Sequence, residues 1–160
     1  MAESKAKEIL VELRKQLTKI KRDNGYFTDV SRVLFGLPDP TELTGRTLAI
    51  DVGDMPLNSL TNDCYRTTGS SAASGDGWQV VIVGYEKHET ESRDEYDARL
   101  TLLDLHADVI KCISANNRLD LDQVDRIFIG ESRFVWDMHE NISIFMMLLG
   151  VKFTFASSDP

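Results

Sequence analysis

Trp78-Gln79-Val80-Val81-Ile82-Val83-Gly84-Tyr85 is the stretch whose reading decides the fold. The run is rich in β-branched residues, too short for a core helix and too apolar for a surface strand, so it predicts a central strand. A charged connector follows (Glu86, Lys87, His88, Glu89, Thr90, Glu91), and then Tyr96, Leu100, Leu103, Ala107 and Ile110 recur at helical spacing. Residues three and four apart share one helix face. Leu102, Leu105, Val109 and Ile113 widen that face, so a helix over 93–114 is expected to be buried along much of its circumference. Asp97, Asp104, Asp108 and Lys111 are left for water.

Working outward, residues 3–21 predict an amphipathic helix. Ala6, Ile9, Leu10, Leu13, Leu17 and Ile20 form its stripe, and Glu8, Glu12, Lys15 and Lys19 its wet face. Asp23, Asn24 and Gly25 stop it, since Asn and Gly tolerate the left-handed conformation of a helix end. Residues 30–35 alternate weakly and suggest a strand that ends at Gly36-Leu37-Pro38-Asp39-Pro40, and residues 47–52 suggest another. From 53 to 77 no apolar period survives, and a loop of that length is usually functional or disordered. We expect it to be mobile in the free subunit and ordered, at least in part, by neighbours. Residues 126–130 read as a strand, and residues 142–156 as a strand bent or bulged at Gly150, with a short helix over 142–149 as the rival. The expected fold class is α+β: a mainly antiparallel sheet packed against two helices that cover one face, in a single domain spanning 1–160.

The 160 residues suffice for one domain that buries about two thirds of its unfolded surface. Hydrophobic and charged fractions of 42% and 28% are those of a folded chain. A net charge of -8 disfavours binding nucleic acid through its phosphates, because basic residues concentrate only near Lys15 to Arg22. Cys64 and Cys112 form neither a metal spacing nor a disulfide framework, which suggests a reducing compartment. The charged N-terminus has no apolar signal region, and the apolar run 142–150 is shorter than the roughly 20 residues of a membrane span.

Candidate chemistry is sparse. Asp51 and Asp54 flank Gly53 and suit a divalent ion in type, but a polar strand exit explains them better. His88, His106 and His139 form no ligand pair. Gly130-Glu131-Ser132-Arg133-Phe134 begins like a nucleophile elbow but has Phe in place of the second Gly. The glycines from Gly69 to Gly77 are not followed by the Lys-Ser or Lys-Thr of a phosphate loop. Asn141-Ile142-Ser143 matches a glycosylation acceptor without a secretion signal beside it. No catalytic residue, cofactor or metal site is expected.

Two surface features remain as interaction determinants. The connector from Glu86 to Asp97 is acidic beyond any need of the core, with Glu86, Glu89, Glu91 and Asp94 as candidate channel or subunit-interface residues. As a solvated loop leading into a helix N-terminus it would also be acidic. Around Arg133, Phe134, Val135, Trp136 and Met138 lies an apolar and cationic cluster of the composition found at interface centres, with Arg133 and Trp136 as candidates. Core packing explains the cluster about as well.

An N-terminal amphipathic helix ending in Asn24-Gly25-Tyr26-Phe27-Thr28-Asp29-Val30, a Gly-Pro-interrupted strand, a variable loop, a strand ending Val83-Gly84, an acidic connector, a helix and a C-terminal strand ending Lys152-Phe153-Thr154-Phe155 together resemble the tail terminator and neck proteins of tailed bacteriophages. The resemblance covers nearly the whole chain, and the loop 53–77 departs from it. It implies a non-enzymatic virion protein, assembled in the host cytoplasm, that forms a homo-oligomeric ring, usually six-fold. Such a ring terminates the tail tube and contacts the tube protein and the neck or connector proteins, with DNA passing through without specific binding and no membrane partner. Acidity suits a ring through which DNA slides. A head completion or stopper protein, a small hydrolase or metal-dependent enzyme using Asp51 and Asp54, and a monomeric binding module are the rival readings.

Overall fold

The run at 78–85 lies within strand β3 (Gly77–Lys87), the middle of the molecule's sheet. Val80 and Ile82 point into one hydrophobic core while Val81, Val83 and Tyr85 join a second on the opposite face, which is why the run is apolar at successive positions. The computed structural model describes residues 5–39, 43, 45–51, 77–87, 95–122, 124–137 and 142–153. Around β3 they comprise helix α1 (Lys5–Thr18), strands β1 (Arg32–Phe35) and β2 (Arg46–Asp51), helix α2 (Glu95–Ala115), and strands β4 (Val124–Asp137) and β5 (Ile142–Phe153). A 3-10 turn, Arg22–Asn24, follows α1.

The fold is α+β, with a five-stranded, mainly antiparallel sheet in the order β1-β2-β3-β5-β4. β1 runs parallel to β2, and every other neighbouring pair is antiparallel. Gly36 and Gly45, with φ of 80° and 69°, bracket the return between β1 and β2; few other residues adopt that backbone. α1 lies over β1 and β2, α2 over β3, β5 and β4, and both cover the same face. Ile9, Leu13, Leu17 and Ile20 of the first stripe are fully buried there, as expected.

α2 departs from the sequence expectation. Leu102, Leu105, Val109, Cys112 and Ile113 face the sheet, whereas Leu100 and Leu103 of the expected main stripe are 49% and 45% exposed. Asp108, expected in water, has no exposed surface and accepts hydrogen bonds from the Phe27 N–H (3.0 Å), the Thr28 N–H (2.8 Å) and the Thr28 hydroxyl (2.5 Å). Both stripes are apolar, so periodicity alone cannot rank them. Three donors fixed around one buried carboxylate set the helix's rotation, because leaving that carboxylate unpaired would cost more than exposing two leucines.

β5 is a strand throughout, which excludes the helical alternative for 142–149. Gly150 sits in register with both Gln79 and Phe128, so the expected bend is not there. The irregularities lie in β4 instead: between Val124 and Arg126, and again between Ile129 and Ser132, β4 advances one residue more than β5. The expected strand at 126–130 therefore continues through its second bulge to Asp137 and takes in Arg133, Phe134, Val135 and Trp136. Glu86 and Lys87 belong to β3 rather than to the connector.

Candidate subunit interface

The segment 24–30 is the joint between α1, β1 and α2. Gly25 adopts φ of 90° and its carbonyl accepts a hydrogen bond from Lys111 Nζ (2.7 Å), whose ammonium also lies 5.0 Å from the Tyr26 ring centre. The buried Cys112 thiol donates to the Gln16 carbonyl (3.1 Å). Burial, then the neighbouring Cys112 and Asp108, push the Tyr26 hydroxyl up to about 12. Burial likewise pushes the Cys112 thiol up. Asp108, Lys111 and Cys112 thus bind one turn of α2 to the joint. The chemistry is structural: backbone donors and carbonyls that leave helix and sheet find partners.

Among the described residues, the sheet beside this joint has two unpaired edges. β1 and β4 are the sheet's edge strands, and neither pairs outward with another strand among the described residues. At the β1 end Phe35 is 45% and Leu37 59% exposed, with the Arg14 guanidinium 4.5 Å over the Phe35 ring. At the β4 end Val135 is 45% exposed, and Met146, on β5 beside it, is 39% exposed on the same face, the one opposite α1 and α2. Leu103 lies one helical turn from His106, whose imidazole rests against Phe134 of β4 at 5.0 Å between centres. That places the exposed Leu103 on the flank of α2 nearest β4. Phe27 is exposed in the joint itself.

Among the sequence candidates, Arg133 is exposed on β4 opposite Met146, and Trp136 occupies the β4 position opposite Ser143. Both fall at this open end. Glu86 does not: it is half-buried on β3, its Oε2 2.8 Å from Nε of Arg46, its partner on β2. Burial raises its carboxyl above the ordinary value although Arg46 pulls the other way. Glu89, Glu91 and Asp94 lie outside the described residues, as do Asp54, Cys64 and most of the loop 53–77. Phe35, Leu37, Leu103 and Met146 were not singled out as surface contacts from sequence. The doubled apolar stripe of α2 was the signal available for Leu103, since a helix on one side of a sheet needs only one.

Ser132, from the rejected elbow motif, meets His106 with 2.9 Å between Oγ and Nε2. The imidazole packs edge-on to Phe145 (5.1 Å, 87°), and burial lowers its pKa. The pair closes the α2–sheet contact beside the second β4 bulge. At the other end of α2 a polar hollow is lined by Asn116, Asn117, Asp120 and Asp122, with Asn116 Nδ2 donating to Asp120 Oδ2 at 3.0 Å. Among the described residues no group of three or more His, Cys, Asp or Glu is placed to hold a metal ion, and no helix is long and apolar enough to cross a membrane.

No protein-family model matches the chain, and no curated protein matches it. A structure solved by electron cryo-microscopy, the sheath/tube terminator of an extracellular contractile injection system (PVC) in its extended state, is similar to it with a TM-score of 0.36 and 12% sequence identity. The likeness covers 94% of this chain and 58% of that one, so this chain spans less than two thirds of the terminator's length.

Proposed function

We propose that this chain is a structural virion protein of a tailed bacteriophage, a subunit of a six-fold ring that terminates the tail tube and joins it to the head or neck. The observation that carries the reading is that, among the described residues, β1 and β4 are unpaired sheet edges, with large apolar side chains exposed beside each of them. Such a subunit has two distinct surfaces to cover, and head-to-tail contact closes into a ring when the rotation between copies permits. The sequence resemblance over nearly the whole chain supports the same role. In this reading the tube protein and the neck or connector proteins are its partners. DNA passes through the ring unbound, which suits a chain of net charge -8.

Averaged electron micrographs of the purified protein, with and without isolated tail tubes, test the proposal. Annular particles that sit at one end of the tubes are expected. Monomers in both preparations would overturn it in favour of a monomeric binding module. The acidic connector is then a channel lining, and Glu89→Lys with Glu91→Lys tests that part: the ring should form as before while DNA retention rises, more at low salt than at high. Loss of the ring from a folded monomer would make the connector a subunit contact instead.

A further inference from the structure

Resting on the ring reading, we infer that the β1 end of one copy docks on the β4 end of the next. Phe35, Leu37 and Arg14 form the first surface, and Leu103, Val135 and Met146 the second.

The strand directions allow this join and set its geometry. β1 runs with β2, β2 against β3, β3 against β5, and β5 against β4, so β1 and β4 point in opposite directions. A neighbour that continues the sheet in the same orientation therefore brings its β1 antiparallel to β4, the more stable pairing. Both bulges of β4 fall before Ser132, which leaves the regular stretch 132–137, with the exposed Val135, as the part of the edge fit to receive another strand. The helix layer continues in step. The outer flank of α2, with Leu103, comes against the neighbour's α1, where Lys7 and Arg14, two turns apart, lie on the flank over β1.

A symmetric β1-to-β1 contact would bring the two Arg14 guanidiniums together and leave Leu103, Val135 and Met146 in water. A symmetric β4-to-β4 contact would close a dimer and leave Phe35 and Leu37 in water. Head-to-tail contact uses both open edges in one kind of interface, with Phe35 and Leu103 meeting on the helix side and Val135 on the strand that receives β1.

The test uses the full chain in sedimentation velocity and native mass spectrometry, with Leu37→Glu blocking the β1 end and Leu103→Lys/Val135→Lys blocking the β4 end. Wild type should assemble, each variant alone should stay at the 18.0 kDa monomer mass, and an equal mixture should form a heterodimer and stop there. Only a head-to-tail interface has this outcome, because each variant keeps the end that the other has lost. Folding is checked by circular dichroism. Leu37→Ser and Val135→Thr, which remove apolar contact without adding charge, should weaken assembly in the same way if a charged variant fails to fold. Variants that still form wild-type rings overturn this placement of the interface and leave the ring standing. A Leu37→Glu homodimer that the second variant does not alter shows a symmetric contact and also overturns it. A wild type that stays monomeric even with tail tubes overturns the ring reading and the inference with it.

Discussion

Replacing Gly84 with alanine should destabilise the protein through a contact with one ring. A Cβ built on Gly84 would stand 2.1 Å from Phe145 Cε1, 2.5 Å from Cζ and 2.8 Å from Cδ1. Phe145 lies directly across from Gly84 on β5, has no exposed surface, and is hemmed in by His106 at 5.1 Å and Phe134 at 6.2 Å between ring centres. The ring cannot yield without displacing both, and overpacking of this kind costs about 1–3 kcal/mol. Against it, alanine in a strand interior regains about 0.5–1 kcal/mol of backbone entropy relative to glycine. A net loss of about 1–2 kcal/mol remains, or a fall in Tm of about 2–8 °C for a chain of this size. Equilibrium denaturation of wild type, Gly84→Ala, Phe145→Leu and the double variant checks the cause. Phe145→Leu alone should be destabilising, but in its background Gly84→Ala should cost nothing or stabilise, a coupling well above the roughly 0.5 kcal/mol scatter of additive sites. If alanine costs the same with leucine at 145 as with phenylalanine, the ring is not the reason for the glycine.

Asp108→Ala should cost about 3 kcal/mol or more, since hydrogen bonds to a charged group contribute about 1.5–3 kcal/mol each and the Phe27 and Thr28 donors would be stranded; chemical denaturation measures it, and a loss below about 1 kcal/mol would remove Asp108 from the joint. Leu105→Ala should cost about 2–5 kcal/mol as a core truncation, whereas Leu103→Ala, on the outer flank of α2, should stay within about 0.5 kcal/mol in the monomer. The lowered pKa of His106 means that the unfolded chain binds more protons below pH 6.5, so this residue's contribution is present above that pH and is lost as pH falls through its folded value; His106→Gln should flatten the melting temperature across that window. Glu86 has the opposite sign: with its folded pKa above 4.5, its contribution is complete below that pH and is lost as pH rises through the folded value, and Glu86→Gln should remove that slope.

Most of the fold was legible because burial leaves a period in sequence. The first helix shows one stripe against a polar remainder, and Ile9, Leu13, Leu17 and Ile20 are buried as that stripe requires. β3 could be placed at the centre because only a strand covered on both faces is apolar at successive positions. What failed was what depends on partners distant in sequence. The bulges of β4 depend on its register with β5, and nothing between Ile129 and Ser132 except Gly130 hints at an extra residue. The rotation of α2 depends on donors at Phe27 and Thr28, some eighty positions away.

The interface candidates differ in where the fold places them. Arg133 and Trp136 were chosen for composition, and the sheet order puts their strand at an open edge. Glu86 was chosen as part of an acidic run, but the cross-strand register puts Arg46 opposite it, which a reading of local charge cannot detect. α2 carries the remaining information. Its sheet-facing side is complete with Leu102, Leu105, Val109, Cys112 and Ile113, so Leu100 and Leu103 add nothing to the core they were expected to fill. A helix with a second apolar stripe exposes area that water disfavours, and here part of that stripe lies on the flank next to β4, an unpaired edge among the described residues. Leu103, which misled the assignment of the buried face, is therefore a residue that the proposed head-to-tail contact would cover.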